Sequence, residues 1–110
     1  MGNIALLILG YLIATLPEDI RDNRLHVHIY RITKRSKKGK GDCVCKIWIE
    51  KNGEKDFEVA YNRGIKSQDL NEIILFLDRN YQTVKNEIKK SLSGQKTTLI
   101  QDELCVKIRK

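Results

Sequence analysis

None of the short motifs by which a sequence declares a familiar enzyme is present. No P-loop, GxGxxG, HExxH, CxxC or nucleophile-elbow pattern occurs among the 110 residues, so motif-borne NTPase, dinucleotide and hydrolase readings lack support and no cofactor is called for. Cysteine is sparse and odd in number, at Cys43, Cys45 and Cys105. A CxC pair within one strand does not bridge to itself without distorting the pleat, which argues against a disulfide framework and for a reduced, cytoplasmic setting. Nor does any apolar run reach membrane-spanning length. The longest, Ile4 to Leu16, has thirteen residues, against the roughly 20 a transmembrane helix needs. It lacks the marks of a signal peptide as well: no Lys or Arg precedes it and no small-x-small site follows. We read it as buried strand structure, one long strand or a pair of segments, with Gly10 at a bend or bulge. No internal repeat and no second domain is visible.

What the chain has in surplus is positive charge. Its 21 Lys and Arg against 14 Asp and Glu give a formal +7, a balance that favours polyanionic partners such as RNA. The length suits one domain with one core, taken here as residues 1–94, with 95–110 as an extension that is an edge strand or disordered. Within that domain the two histidines fall together in Arg24-Leu25-His26-Val27-His28-Ile29-Tyr30-Arg31. Side chains alternate across a strand, so Leu25, Val27 and Ile29 form one apolar row and His26, His28 and Tyr30 a second, more polar one.

Reading along the chain, Pro17 to Asn23 is a turn-forming segment whose proline cannot sit in a central ladder. The histidine strand extends from about Arg24 to Ile32. Thr33 to Gly41 is basic and glycine-bearing, and joins two strand-like runs as a solvated hairpin arm. Cys43 to Glu50 alternates again, with Cys43, Cys45, Ile47 and Ile49 on one side and Val44, Lys46, Trp48 and Glu50 on the other. Asn52-Gly53 is a strong hairpin signal, leading into Asp56 to Tyr61, where Phe57, Val59 and Tyr61 share a face. From Leu70 the period lengthens: Leu70, Ile73, Ile74, Leu77, Tyr81, Val84, Ile88 and Leu92 make one helical stripe, with Ser67 as N-cap, Asn80 at a kink and Gly94 at the end. The expected fold is α+β: a small, mainly antiparallel sheet of three or four strands with an amphipathic helix or helical hairpin on one face.

Three kinds of chemistry fit these residues. His26, His28, Cys43 and Cys45 are zinc-type ligands, but the alternation sends the histidines to one side and the cysteines to the other, so no metal site is expected. As an acid–base pair, His26 and His28 could divide donor and acceptor roles in RNA cleavage, with Lys46 stabilising charge and Asp22 and Asn23 supporting the imidazoles. For binding alone, Lys34, Arg35, Lys37, Lys38 and Lys40 adjoin the face bearing Tyr30, Lys46 and Trp48, a mixture of cations and aromatics that suits phosphates and unstacked bases.

The order of elements and several residues also resemble a known family. A Gly10-Tyr11-Leu12-Ile13 strand, a polar loop ending in Asp22-Asn23, the His26-Val27-His28 strand, the Lys46-Ile47-Trp48-Ile49-Glu50 strand and a Gly-Ile segment before an amphipathic helix are similar to the prokaryotic domain of unknown function 4160. The resemblance covers residues 4–92. Arg24-Leu25 stands where that family carries a proline, and the tail after Gly94 is extra. It implies a small α+β domain, in a family often suspected of belonging to toxin–antitoxin pairs. The functional expectation is thus a nucleic-acid-directed accessory protein, toxin-like and acting on RNA. The alternative is a non-catalytic protein-interaction module with a cognate protein partner.

Overall fold

The structure, a computed structural model, describes residues 2–16, 24–32 and 43–105. Five strands precede two helices: β1 Gly2–Leu7, β2 Tyr11–Thr15, β3 His26–Arg31, β4 Cys43–Lys51, β5 Glu54–Asn62, α1 Ser67–Arg79 and α2 Tyr81–Leu92. Every neighbouring pair is antiparallel and the sheet order follows the chain, β1-β2-β3-β4-β5. The α+β class is as expected, but the sheet has five strands where three or four were expected. The reason is local: the Ile4–Leu16 run folds into its own hairpin, reversing at Gly10, whose φ of 95° disfavours any residue with a Cβ. Between β4 and β5, Asn52 (φ 54°) and Gly53 (φ 81°) supply the two left-handed residues of a type I′ turn.

The lengthened period beyond Leu70 becomes α1 and α2, which meet at Asn80. There the Asn80 backbone N–H and its Nδ2 both donate to the Phe76 carbonyl at 3.0 Å. Lys66, not Ser67, occupies the N-cap position of α1, and no side chain caps it. The helices cover one face of the sheet. Ile73, Phe76, Leu77, Val84 and Ile88 pack with Ile13, Val27, Ile29, Cys45, Ile47 and Ile49 in a single buried cluster. Each such aliphatic or aromatic side chain contributes roughly 1.5–3 kcal/mol by leaving water. The other face has a smaller cluster of its own, in which Leu12, Ala14 and Tyr30 are buried and Leu6, Ile32 and Cys43 pack partly covered. Among the described residues no helix is long and apolar enough to cross a membrane.

Two register shifts correct the simple alternation. Ile29 pairs with Cys45 but Tyr30 pairs with Cys43, which leaves Val44 as an extra residue in β4. Such a bulge offsets the two-residue period. Cys45 therefore stays in the helix-side core while Cys43 joins the opposite cluster, against the expectation that both point inward. In β5, Lys46 pairs with Tyr61 and Ile47 with Val59, so Ala60 is extra. Phe57 and Val59 pack on the helix side, whereas the Tyr61 hydroxyl lies beside Cys43 Sγ, so the three do not share a face.

Residues 95–105 run along the β1 edge without forming a further named strand. Ile100 N donates to Ile4 O at 2.9 Å and Ile8 N to Leu104 O at 2.8 Å, and Leu7 pairs with Cys105 as an isolated bridge. Two carboxylates hold this segment to the helices. Asp102 accepts from Arg79 Nε (3.0 Å) and Nη2 (2.7 Å), Asn80 Nδ2 (2.8 Å) and Leu104 N (3.2 Å). Glu87, itself buried, accepts from Lys90 Nζ at 3.0 Å and from Thr98 N at 3.1 Å.

The Arg79 guanidinium, aided by Asn80 and the Leu104 N–H and opposed by burial, holds the Asp102 carboxyl well below the usual carboxylate range. A depressed folded value means that its contribution is complete above the unfolded value near 3.9 and is lost as pH falls through the folded one. Asp102→Asn is expected to speed hydrogen exchange at the Ile100 and Cys105 amides at neutral pH. In denaturant titrations the stability gap between this variant and the parent should narrow as pH drops below about 4; a gap independent of pH would contradict the assignment.

Candidate nucleic-acid interface

The site is built on the sheet face opposite the helices. Antiparallel register places His26 across from Trp48 and His28 across from Lys46, so the polar row of β3 meets the polar row of β4. The His26 ring lies 5.0 Å from His28 at 81° and 4.9 Å from Trp48 at 75°, edge to face in both cases. Contacts of this kind add roughly 0.5–1.5 kcal/mol beyond the area they bury. His26 Nδ1 donates to the Arg24 carbonyl at 3.3 Å. Trp48 in turn gathers cations. Lys46 Nζ stands 4.2 Å and Arg24 Cζ 5.1 Å from its ring centroid, and Arg24 is further fixed by the Glu50 carbonyl and by Glu58 Oε1 at 3.0 Å.

At the other end of β4 the two bulges bring a second group together. Cys43 Sγ lies 3.7 Å from His28 Nδ1 and 3.3 Å from the Tyr61 hydroxyl. Arg63 Cζ stands 4.9 Å from the Tyr61 ring centroid. The turn carrying Arg63 is set by Asn62, whose Oδ1 accepts from Ile65 N at 2.8 Å and whose Nδ2 donates to Ile65 O at 2.9 Å. Arg31, the last residue of β3, donates from Nη2 to Gly64 O at 3.0 Å. Gly64 has φ 116°, and a Cβ there would stand 3.4 Å from that same Nη2. Between these groups is a cleft of about 550 Å³ lined by Arg31, Cys43, Val44 and Arg63.

The expected site residues divide into three sets. Lys46 and Trp48 pair across from the histidines on the helix-free face, but His26 and His28 are only 2% and 9% exposed and are packed into that face. Tyr30, 6% exposed, belongs to the Leu12–Ala14 cluster. Lys34, Arg35, Lys37, Lys38 and Lys40, with Asp22 and Asn23, lie outside the described residues. The zinc-type ligands come closer than alternation allows, since Cys43 shares a face with His28; among the described residues, however, no three of His, Cys, Asp and Glu converge.

Arg24, Arg31, Tyr61 and Arg63 were not anticipated. A signal existed for two of them. Strands β3 and β5 are both antiparallel to β4, so a meander places their C-terminal ends at one end of the sheet, and Arg31 closes the first while Arg63 follows the second. Comparison with family models, with curated proteins and with solved structures finds no match to this chain.

The hydrogen bond to Cys43 first, and burial second, pushes the Tyr61 phenol up to about 12, from an ordinary value near 10. In a spectrophotometric titration Cys43→Ala is expected to bring one phenol back toward that ordinary value, with Tyr61→Phe identifying which phenol it is. An unchanged titration curve in Cys43→Ala would show that the sulfur does not hold this hydroxyl.

Proposed function

We propose that the chain is a nucleic-acid-directed accessory protein that binds a single strand across the helix-free face of its sheet. The observation that carries this reading is the set of cations held against aromatic rings on β4 and β5: Lys46 and Arg24 at Trp48, and Arg63 at Tyr61. Cation–ring contacts contribute roughly 0.5–1 kcal/mol when exposed; more to the point, they hold charged heads in place before a polyanion arrives. Between Cys43 and Trp48 the face spans about 16 Å, at roughly 3.3 Å per strand residue. The formal +7 supplies long-range attraction of the same sign.

The resemblance to the 4160 family suggests RNA as the acid and a toxin–antitoxin pair as the setting, and we adopt RNA as the probe on that basis. Binding, not cleavage, is the activity proposed. A proton-transfer histidine has to reach its substrate, and the two imidazoles here are packed against Trp48 and Cys43. Their role in this reading is to position Trp48 and hence the cations around it.

Fluorescence anisotropy of a labelled single-stranded RNA across a salt series tests the proposal. Binding is expected to weaken as salt rises, with a slope of about −0.7 per phosphate neutralised. Lys46→Gln should flatten that slope by about one phosphate's share, whereas Lys89→Gln, exposed in the last turn of α2, should leave it unchanged. Absent or salt-independent binding would sink the proposal and favour the protein-interaction module instead.

A further inference from the structure

The cleft at the C-terminal ends of β3 and β5 supports a narrower statement about the ligand, and it builds on the nucleic-acid reading above. Two arginines line it, Arg31 and Arg63. Arg24 and Arg79 are each matched to an acid, Glu58 and Asp102. Among the described residues no carboxylate pairs with Arg31 or Arg63. Their positions are nonetheless set. The Gly64 carbonyl takes one of the five N–H donors of Arg31. The Arg63 backbone N–H donates to the carbonyl of the bulged Val44 at 2.6 Å, and its side chain lies over Tyr61. Among the described residues the rest of the lining, Cys43 and Val44, carries no carboxylate to neutralise them.

We propose that this cleft takes a terminal phosphate, the monoester group found at the end of a nucleic-acid strand and on a free mononucleotide. The charge match selects the group: a phosphomonoester carries about −1.5 to −2 at pH 7, which balances the two guanidiniums, while an internal diester carries only one negative charge. Guanidinium forks match phosphate oxygens in geometry as well. The recess of about 550 Å³ at the sheet's end has room for such a group.

The test compares one single-stranded RNA sequence bearing a 5′-phosphate, a 3′-phosphate or neither, with inorganic phosphate as a fourth probe. One of the phosphorylated forms is expected to bind roughly tenfold more tightly than the unmodified strand, the scale of one or two charge-assisted hydrogen bonds. That advantage should disappear in Arg63→Gln and in Arg31→Gln, each verified by an unchanged circular dichroism spectrum, and persist in Lys89→Gln. Equal affinity for all three strands in the parent protein, or an advantage surviving in both arginine variants, overturns the proposal. If no strand binds but inorganic phosphate does so in an arginine-dependent manner, the cleft stands as a phosphate site and the nucleic-acid reading falls. If the strands bind salt-dependently with no preference for an end, the reverse holds.

Discussion

The strand that carries both histidines has no solvent side, and that constraint shapes everything around it. Third of five in the sheet, β3 turns Val27 and Ile29 toward the helices and His26, His28 and Tyr30 toward a second packed surface. A polar side chain can be buried there only if its polar atoms find partners, because an unmatched group costs roughly 1–3 kcal/mol. The imidazoles are held there by edge contacts to each other and to Trp48, by the hydrogen bond from His26 Nδ1 to the Arg24 carbonyl and by the Cys43 sulfur beside His28 Nδ1. The histidine pair is therefore a packing device first, and its position determines where Trp48 and Lys46 stand.

The two bulges matter nearly as much as the strand. One extra residue at Val44 and one at Ala60 move Cys43 and Tyr61 onto the histidine side. The same offset sends the Val44 carbonyl to the Arg63 amide and leaves a cleft between two arginines at the end of the sheet. Without the bulges, period-two alternation would place Cys43 on the same side as Cys45. At the opposite edge, Asp102 and Glu87 bind the segment after α2 to both helices, and that segment covers β1. The β5 edge has no such cover among the described residues, and its Lys55, Asp56 and Glu58 are the kind of charged side chains that discourage edge pairing.

The architecture was largely legible because it rests on periodicity. Alternation located β3 and β4, Asn52-Gly53 located the hairpin, and the stripe from Leu70 to Leu92 located the helices with their break at Asn80. What alternation cannot show is a place where one strand inserts a residue, since a bulge leaves no compositional mark at Val44 or Ala60. That is why Cys43 and Tyr61 fell on the wrong faces. Burial of the histidines was hidden for a related reason: a mixed polar row reads as an exposed face unless the size of the opposing cluster is known, and Leu12 and Ala14 supply part of that cluster from β2. The cleft was recoverable in principle from topology, through Arg31 and Arg63, but not from charge counting, which drew attention to the lysines of 34–40.

In the proposed function a nucleic acid meets the helix-free face and not the helices. Amide and indole chemical-shift mapping of isotope-labelled protein titrated with single-stranded RNA addresses it directly, because Trp48 is the only tryptophan. Shifts are expected at Arg31, Lys46, Tyr61, Arg63, Gly64 and the Trp48 indole, with the residues of α1 and α2 unmoved. Shifts confined to Ser67–Leu92 while the Trp48 indole stays still would contradict it.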